Sequence, residues 1–168
     1  MLGLPRGEVF LVPWTEEWAK EFLLEKEVIQ NEIGNYVLDI HHIGSTAVKG
    51  ISAKPIIDIA VEIKKFNYGE YCVNPLKKLG YSYGGTNILP DRHYFYKGEP
   101  RTHQIHMYQV ENKYLKEQLK FRDYLRKNDN ARMEYQALKV KLSKAHKHNK
   151  YKYADEKTNF VKSILKRI

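Results

Sequence analysis

The sequence predicts an α+β fold with a helical C-terminal third, on three observations. An amphipathic helix with a capping threonine opens the chain, at residues 15–33. β-branched and aromatic runs bounded by turn residues are confined to residues 36–110. From residue 111 onward the chain is Lys-rich and reads as helix.

Each element has its own signal. In "TEEWAKEFLLEKEVIQNEI" Thr15 caps, Glu16 and Glu17 fill the first turn, and Trp18, Phe22, Leu23, Val28, Ile29 and Ile33 form a broad apolar stripe that Gly34-Asn35 ends. "YVLDIHHI" (36–43) and "PIIDIAVEI" (55–63) read as strands, joined by a small-residue turn with a glycine at each end of "GSTAVKG". Residues 68–80 are a helix candidate weakened by Pro75 and stopped by Gly80, and "YSYGG" is a short strand. Residues 92–110 read as a β-hairpin turning at Lys97-Gly98-Glu99-Pro100. Helices are expected at about 113–127, 130–147 and 154–167. With no internal repeat and no low-complexity linker, residues 1–168 are expected to form a single domain whose helical part is about 111–168.

Composition narrows the function classes. The 168 residues suffice to bury a core without disulfides, and the hydrophobic fraction of 42% is ordinary. Cys72 is the only cysteine, so no internal disulfide forms, which suits a reducing cytoplasm. No segment resembles a signal peptide or is apolar over the length a membrane helix needs. The net charge of +9 is uneven: residues 111–168 hold 17 Lys/Arg against 7 Asp/Glu, whereas residues 1–110 hold 12 against 13. The basic third either attracts an anionic partner or is a solvated Lys-rich face.

"HHIGSTAVKGISAKPIIDIAVEI" (41–63) carries the chemistry. Gly44 permits close backbone approach, and the amides and hydroxyls of Ser45 and Thr46 are candidate phosphate donors at a strand-to-helix turn. Asp58 shares one strand face with Ala60 and Glu62, while Ile57, Ile59, Val61 and Ile63 take the other. A carboxylate in so apolar a strand needs a cation, a hydrogen-bond partner or solvent.

"IGS", a gap of 12 residues and "DIAV" resemble the signature of the nucleotidyltransferases of the DNA polymerase β superfamily. The order of "HHIGSTAVKGISAKPIIDI", "DRHYFYKG", "RTHQIHMY", "FRDYLR" and "EYQALKVKL" is similar to that of GrpB family proteins, from about Pro13 to the C-terminus. The resemblance implies a nucleotidyltransferase-like mixed or antiparallel sheet, a divalent metal (Mg or Mn) as cofactor, and a nucleoside triphosphate or related phosphate-containing small molecule as partner. It also implies Asp58 as the catalytic acid. The pattern departs at Ala60, where the superfamily has a second acid. Glu62 cannot replace it, lying about 13 Å from Asp58 along an extended strand. The third acid of the superfamily falls on "RTHQIHMY", where His106 stands, so Asp58 with His106 is the candidate metal pair; imidazole suits Mn or Zn better than Mg. A hydrogen-bonded histidine is the plain alternative.

Lys54, Arg92, Lys97 and Arg101 are the candidate phosphate-neutralising side chains, with Arg122 on the next helix. Phe95 reads as core; Tyr94 and Tyr96 are candidates to stack on a base. "HKHNKYKYADEKTNF" either tracks a nucleic-acid backbone or docks Tyr153 and Phe160 on the sheet, and no nucleic-acid motif accompanies it. Two functions follow as expectations: transfer of a nucleoside monophosphate from a triphosphate, or, because of Ala60, an inactive module of the same fold that binds a nucleotide or a coenzyme A-type ligand.

Overall fold

The computed structural model describes residues 2–168. Its centre is a mixed five-stranded sheet built from β1 (Val37–Ile43), β2 (Ile57–Ile63), β3 (Ser82–Gly85), β4 (Arg92–Lys97) and β5 (His103–Gln109), in the spatial order β1-β2-β5-β4-β3. β2 and β5 run parallel and every other pair antiparallel. The α+β fold expected from the sequence is the one observed.

The two faces of the sheet are divided by strand alternation. Ile57, Ile59, Val61 and Ile63 of β2, with Ile105 and Met107 of β5 and Phe95 of β4, face the main core. Helix α1 (Glu16–Ile33) covers that face through Trp18, Phe22, Ile29 and Ile33, and Thr15 accepts a hydrogen bond from the Glu17 amide as its cap. The stripe is narrower than the sequence suggests, since Leu23 and Val28 are exposed. Glu25 is buried in it instead, because Lys97 and the Tyr81 hydroxyl both bond its carboxylate. Residues 68–80 form two short helices, α2 (Tyr68–Tyr71) and α3 (Val73–Lys78). Restarting at Val73 puts Pro75 in a first turn, where its missing N–H costs nothing.

The other face of the sheet belongs to the basic third. Helix α4 (Lys113–Lys127) lays Leu115 on Ile43, Ala60 and Tyr108. α5 (Asp129–Ala145) packs Ala131 and Tyr135 on Leu125 and on Val48 and Ile51 of the β1–β2 connection. α6 (Lys150–Leu165) buries Tyr153 against Leu142 of α5 and Val9. Asparagines cap all three N-termini, accepting from the amides of Leu115, Ala131 and Lys152. Tyr153 thus docks on its neighbouring helix and Phe160 stacks on Tyr135, rather than either reaching the sheet.

Candidate functional site

A cavity of about 330 Å³ lies between the β1–β2–β5 face and helices α4 to α6. Gly44, Ser45, Thr46, Lys54, Asp58 and His106 all line it, so the structure brings these six sequence candidates together. Antiparallel pairing does part of this work, since Ile43 stands opposite Asp58 and delivers Gly44 to the carboxylate. A Cβ on Gly44 would fall 2.9 Å from Asp58 Oδ2.

The Gly44–Ala47 turn is held on every side. Arg122 of α4 donates to the His42 carbonyl, Arg126 donates twice to the Ala47 carbonyl, and Trp14 donates to the Thr46 carbonyl. The Ser45 side chain and Tyr135 line the cavity together, and the Thr46 hydroxyl pairs with His42. Burial drives His42 down to about 4, with Arg126 and Arg122 adding to the effect and Asp58 opposing it. It is therefore neutral at pH 7. The turn is a single 3-10 turn, Ser45–Ala47, so no helix dipole stands behind it.

Asp58 is engaged by His106, whose Nε2 lies 3.0 Å from Oδ1. Arg92 contributes a donor at 2.8 Å to His106 Nδ1. Guanidinium cannot accept, so Nδ1 is the bare nitrogen and Nε2 carries the proton given to Asp58. Both imidazole nitrogens are thus spent. Ala60 is sealed beneath Leu115 and Tyr108, and Glu62 is occupied by His41 at 2.6 Å. One free carboxylate oxygen and no imidazole lone pair do not fit a resident divalent ion, still less two bridged ones. Among the described residues, the groupings of three metal-capable side chains are Glu21/Glu25/His103 and Asp39/His41/Glu62, neither of which contains Asp58.

The remaining candidates lie elsewhere, for reasons of sheet geometry. Lys97 faces the α1 side and ion-pairs with Glu25 at 2.5 Å, so it is outside the cavity. Arg92 and Arg101 start from β4 and its hairpin, beyond β5 from Asp58. Arg92 lies over the Tyr94 ring and acts through His106; Arg101 lies over Tyr96 and donates to the Tyr94 hydroxyl, which donates to Gln104. Tyr94 and Tyr96 therefore carry arginines, and neither lines the cavity.

In place of the β4 arginines, the cavity holds Lys139 of α5 and Lys157 of α6 together with Lys54. Lys139 is fully buried, donating to the Ser52 carbonyl at 2.7 Å over the face of Tyr135. Lys54 and Lys157 both lie over the ring of Tyr153, at 5.3 and 5.4 Å. Burial lowers Lys54 to about 8, and the charge of Lys157 pushes the same way against Asp58. Burial, then Lys157 and Lys54, hold Lys139 well below the usual lysine range; Lys157 is lowered by burial too. Burial works to raise Asp58, but the His106 bond and the charges of Lys54 and Lys157 outweigh it and hold the carboxyl below its ordinary value. Sequence reasoning passed over Lys139 and Lys157, yet a signal existed. Lys139 falls four residues after Tyr135 and three before Leu142, and Lys157 four after Tyr153 and four before Val161, on the inward stripe of each helix.

These lysines set a pH dependence. Their folded pKa values lie below their unfolded ones, so above about pH 8 the unfolded chain binds more protons and stability rises with pH towards the ordinary lysine value. Burial raises Cys72 and several tyrosines, which opposes this rise as those groups ionise in the unfolded chain, so urea unfolding at pH 7.5 and 9.0 is expected to show a lysine gain of about 1 kcal/mol, read as the difference from Lys54→Met. An unchanged slope in that variant would count against a buried, charge-crowded Lys54.

Known proteins share this chain and this fold. The family model described as GrpB protein matches residues 8–167. The glutamate-rich protein GrpB of Alkalihalophilus pseudofirmus is 37% identical, over 98% of this chain and 98% of its own length. The UPF0157 protein YqkA of Bacillus subtilis is 36% identical over 95% of this chain, which spans about half (47%) of that longer protein. The crystal structure of the conserved protein GrpB from Enterococcus faecalis superposes with a TM-score of 0.86 at 31% identity, covering 94% of this chain and 98% of that one. The chain belongs to the GrpB family.

Proposed function

We propose that the protein binds a phosphate-bearing small molecule, of nucleotide or coenzyme A type, in the cavity beneath α4 to α6, without two-metal nucleotidyl transfer. The observation that carries this reading is the charge balance of the cavity: Lys54, Lys139 and Lys157 cluster on its wall, and Asp58, the carboxylate that faces Lys54 and Lys157, is already bonded by His106. Desolvated ammonium groups without acid partners are costly, and an incoming anion offsets that cost. Nucleic acid is outside the proposal, because Lys139 and Lys157 of the basic third turn inward. A cytoplasmic location belongs to it, supported by the single cysteine; cell fractionation checks it.

The test is thermal unfolding with ATP, CTP, GTP and coenzyme A, each in EDTA and again with Mn²⁺, followed by analysis of the ligand. A rise in midpoint in EDTA with the ligand recovered intact is expected, since a ligand at 100 times its Kd adds about 2.7 kcal/mol. No shift with any of them removes the proposal.

A second reading, transfer of a nucleoside monophosphate, is favoured by Asp58 at the position of the superfamily's first acid with Gly44 against it. Pyrophosphate release that Asp58→Asn abolishes would establish transfer in place of simple binding.

A further inference from the structure

The cavity lining holds both charged and apolar side chains, which ask for different chemistry. Lys54, Lys139, Lys157 and Asp58 form one end. Val48, Phe121, Leu125, Val161 and Leu165 supply apolar wall. We infer that the ligand is a phosphate monoester whose organic part is compact and apolar, rather than a polyphosphate. This rests on the phosphate-binding part of the reading above and replaces its nucleotide or coenzyme A with a smaller ester.

Charge decides the number of phosphates. With a bound anion favouring their charged forms, three lysines against one carboxylate leave an excess of two positive charges at the cationic end. A phosphate monoester carries about −1.5 to −2 near neutral pH, which matches. A triphosphate carries about twice that, and the donor set offers no metal to neutralise the remainder. The rim does not supply it either: Arg122 is bonded to Asp123, and Glu117 and Lys162 are of opposite sign.

Geometry supplies the contacts. The Tyr153 ring lines the cavity and carries Lys54 and Lys157 on its faces, which holds the two ammonium groups close to each other. Ammonium groups give charge-assisted hydrogen bonds to phosphate oxygens. Lys139 spends one donor on Ser52 and keeps two more. The apolar walls would desolvate further charged oxygens without pairing them, whereas an alkyl or aryl group gains about 0.8 kcal/mol per buried CH₂. A cavity of about 330 Å³ suits a small ester.

Isothermal titration in EDTA with inorganic phosphate, phenyl phosphate and ATP tests this. Phenyl phosphate is expected to bind at least tenfold more tightly than either of the others. Leu165→Ser, at the end of α6, is expected to weaken phenyl phosphate several-fold while leaving inorganic phosphate unchanged, and Lys157→Met is expected to weaken both. If phosphate and phenyl phosphate bind equally, or ATP binds best, the inference is overturned while phosphate binding stands. If none of the three binds and coenzyme A does not either, both fall together.

Discussion

Lys139→Met is expected to make the ligand-free protein more stable and to remove most of the stabilisation that a phosphate ligand confers. Lys139 is 1% exposed, and among the described residues the charges acting on it are those of Lys157 and Lys54, with no carboxylate beside it. Its compensation is the bond to the Ser52 carbonyl and the face of Tyr135. Methionine fills a similar volume without the desolvation cost, and the lost hydrogen bond subtracts about 1 kcal/mol from the gain. The balance is expected to be about +1 kcal/mol, a rise in Tm of roughly 2–4 °C for a chain of this size. Binding loses one of three cationic contacts, so the ligand-induced shift is expected to fall by a tenfold change in affinity or more. Scanning fluorimetry with and without ligand reads both. A residue kept for binding moves the two quantities in opposite directions; a residue kept for structure lowers both. Destabilisation of more than 1 kcal/mol in the free protein would mean that the Ser52 and Tyr135 contacts outweigh burial, and Lys139 would lose its assigned role.

Gly44→Ala is expected to cost about 2–4 kcal/mol of folding stability, the combined effect of strain and overlap. Gly44 has φ 75° and ψ −177°, a region that side chains other than glycine rarely enter. The added methyl would sit 2.9 Å from Asp58 Oδ2 and 3.3 Å from its Cβ. Because β2 is fixed by pairing on both edges, the carboxylate must rotate away from His106, so the substitution reaches the cavity as well as the turn. Gly85→Ala separates the two contributions: Gly85 also has positive φ, 81°, but nothing lies within 4 Å of its added methyl. Urea denaturation of the two variants is expected to show the larger loss at Gly44 by about 1–2 kcal/mol. Equal losses would mean that the turn and Asp58 are not in the tight contact described.

The distribution of the basic residues shows where sequence reasoning stopped. In β4 alternation alone assigns Arg92 and Lys97 to opposite faces, yet both stood among the candidates for one site because their charge suits phosphate. The structure ties Lys97 to Glu25 across the main core and sets Arg92 behind His106. Lys139 and Lys157 had the inward spacing, but a lysine in a Lys-rich helix is solvated far more often than not.

What the sequence by itself determined is local. It set the two faces of β2, because a period of two leaves Asp58 and Ile57 no choice, and it set the capped helices and the glycine at the end of β1. Only the tertiary structure decided what Asp58 faces. Lys157 lies about a hundred residues further on, and its arrival depends on how α5 and α6 seat Tyr135 and Tyr153, which no repeat along the chain encodes. The physical reason is that backbone geometry repeats over a few residues, whereas the charge balance of a cavity is the sum over every element that closes it.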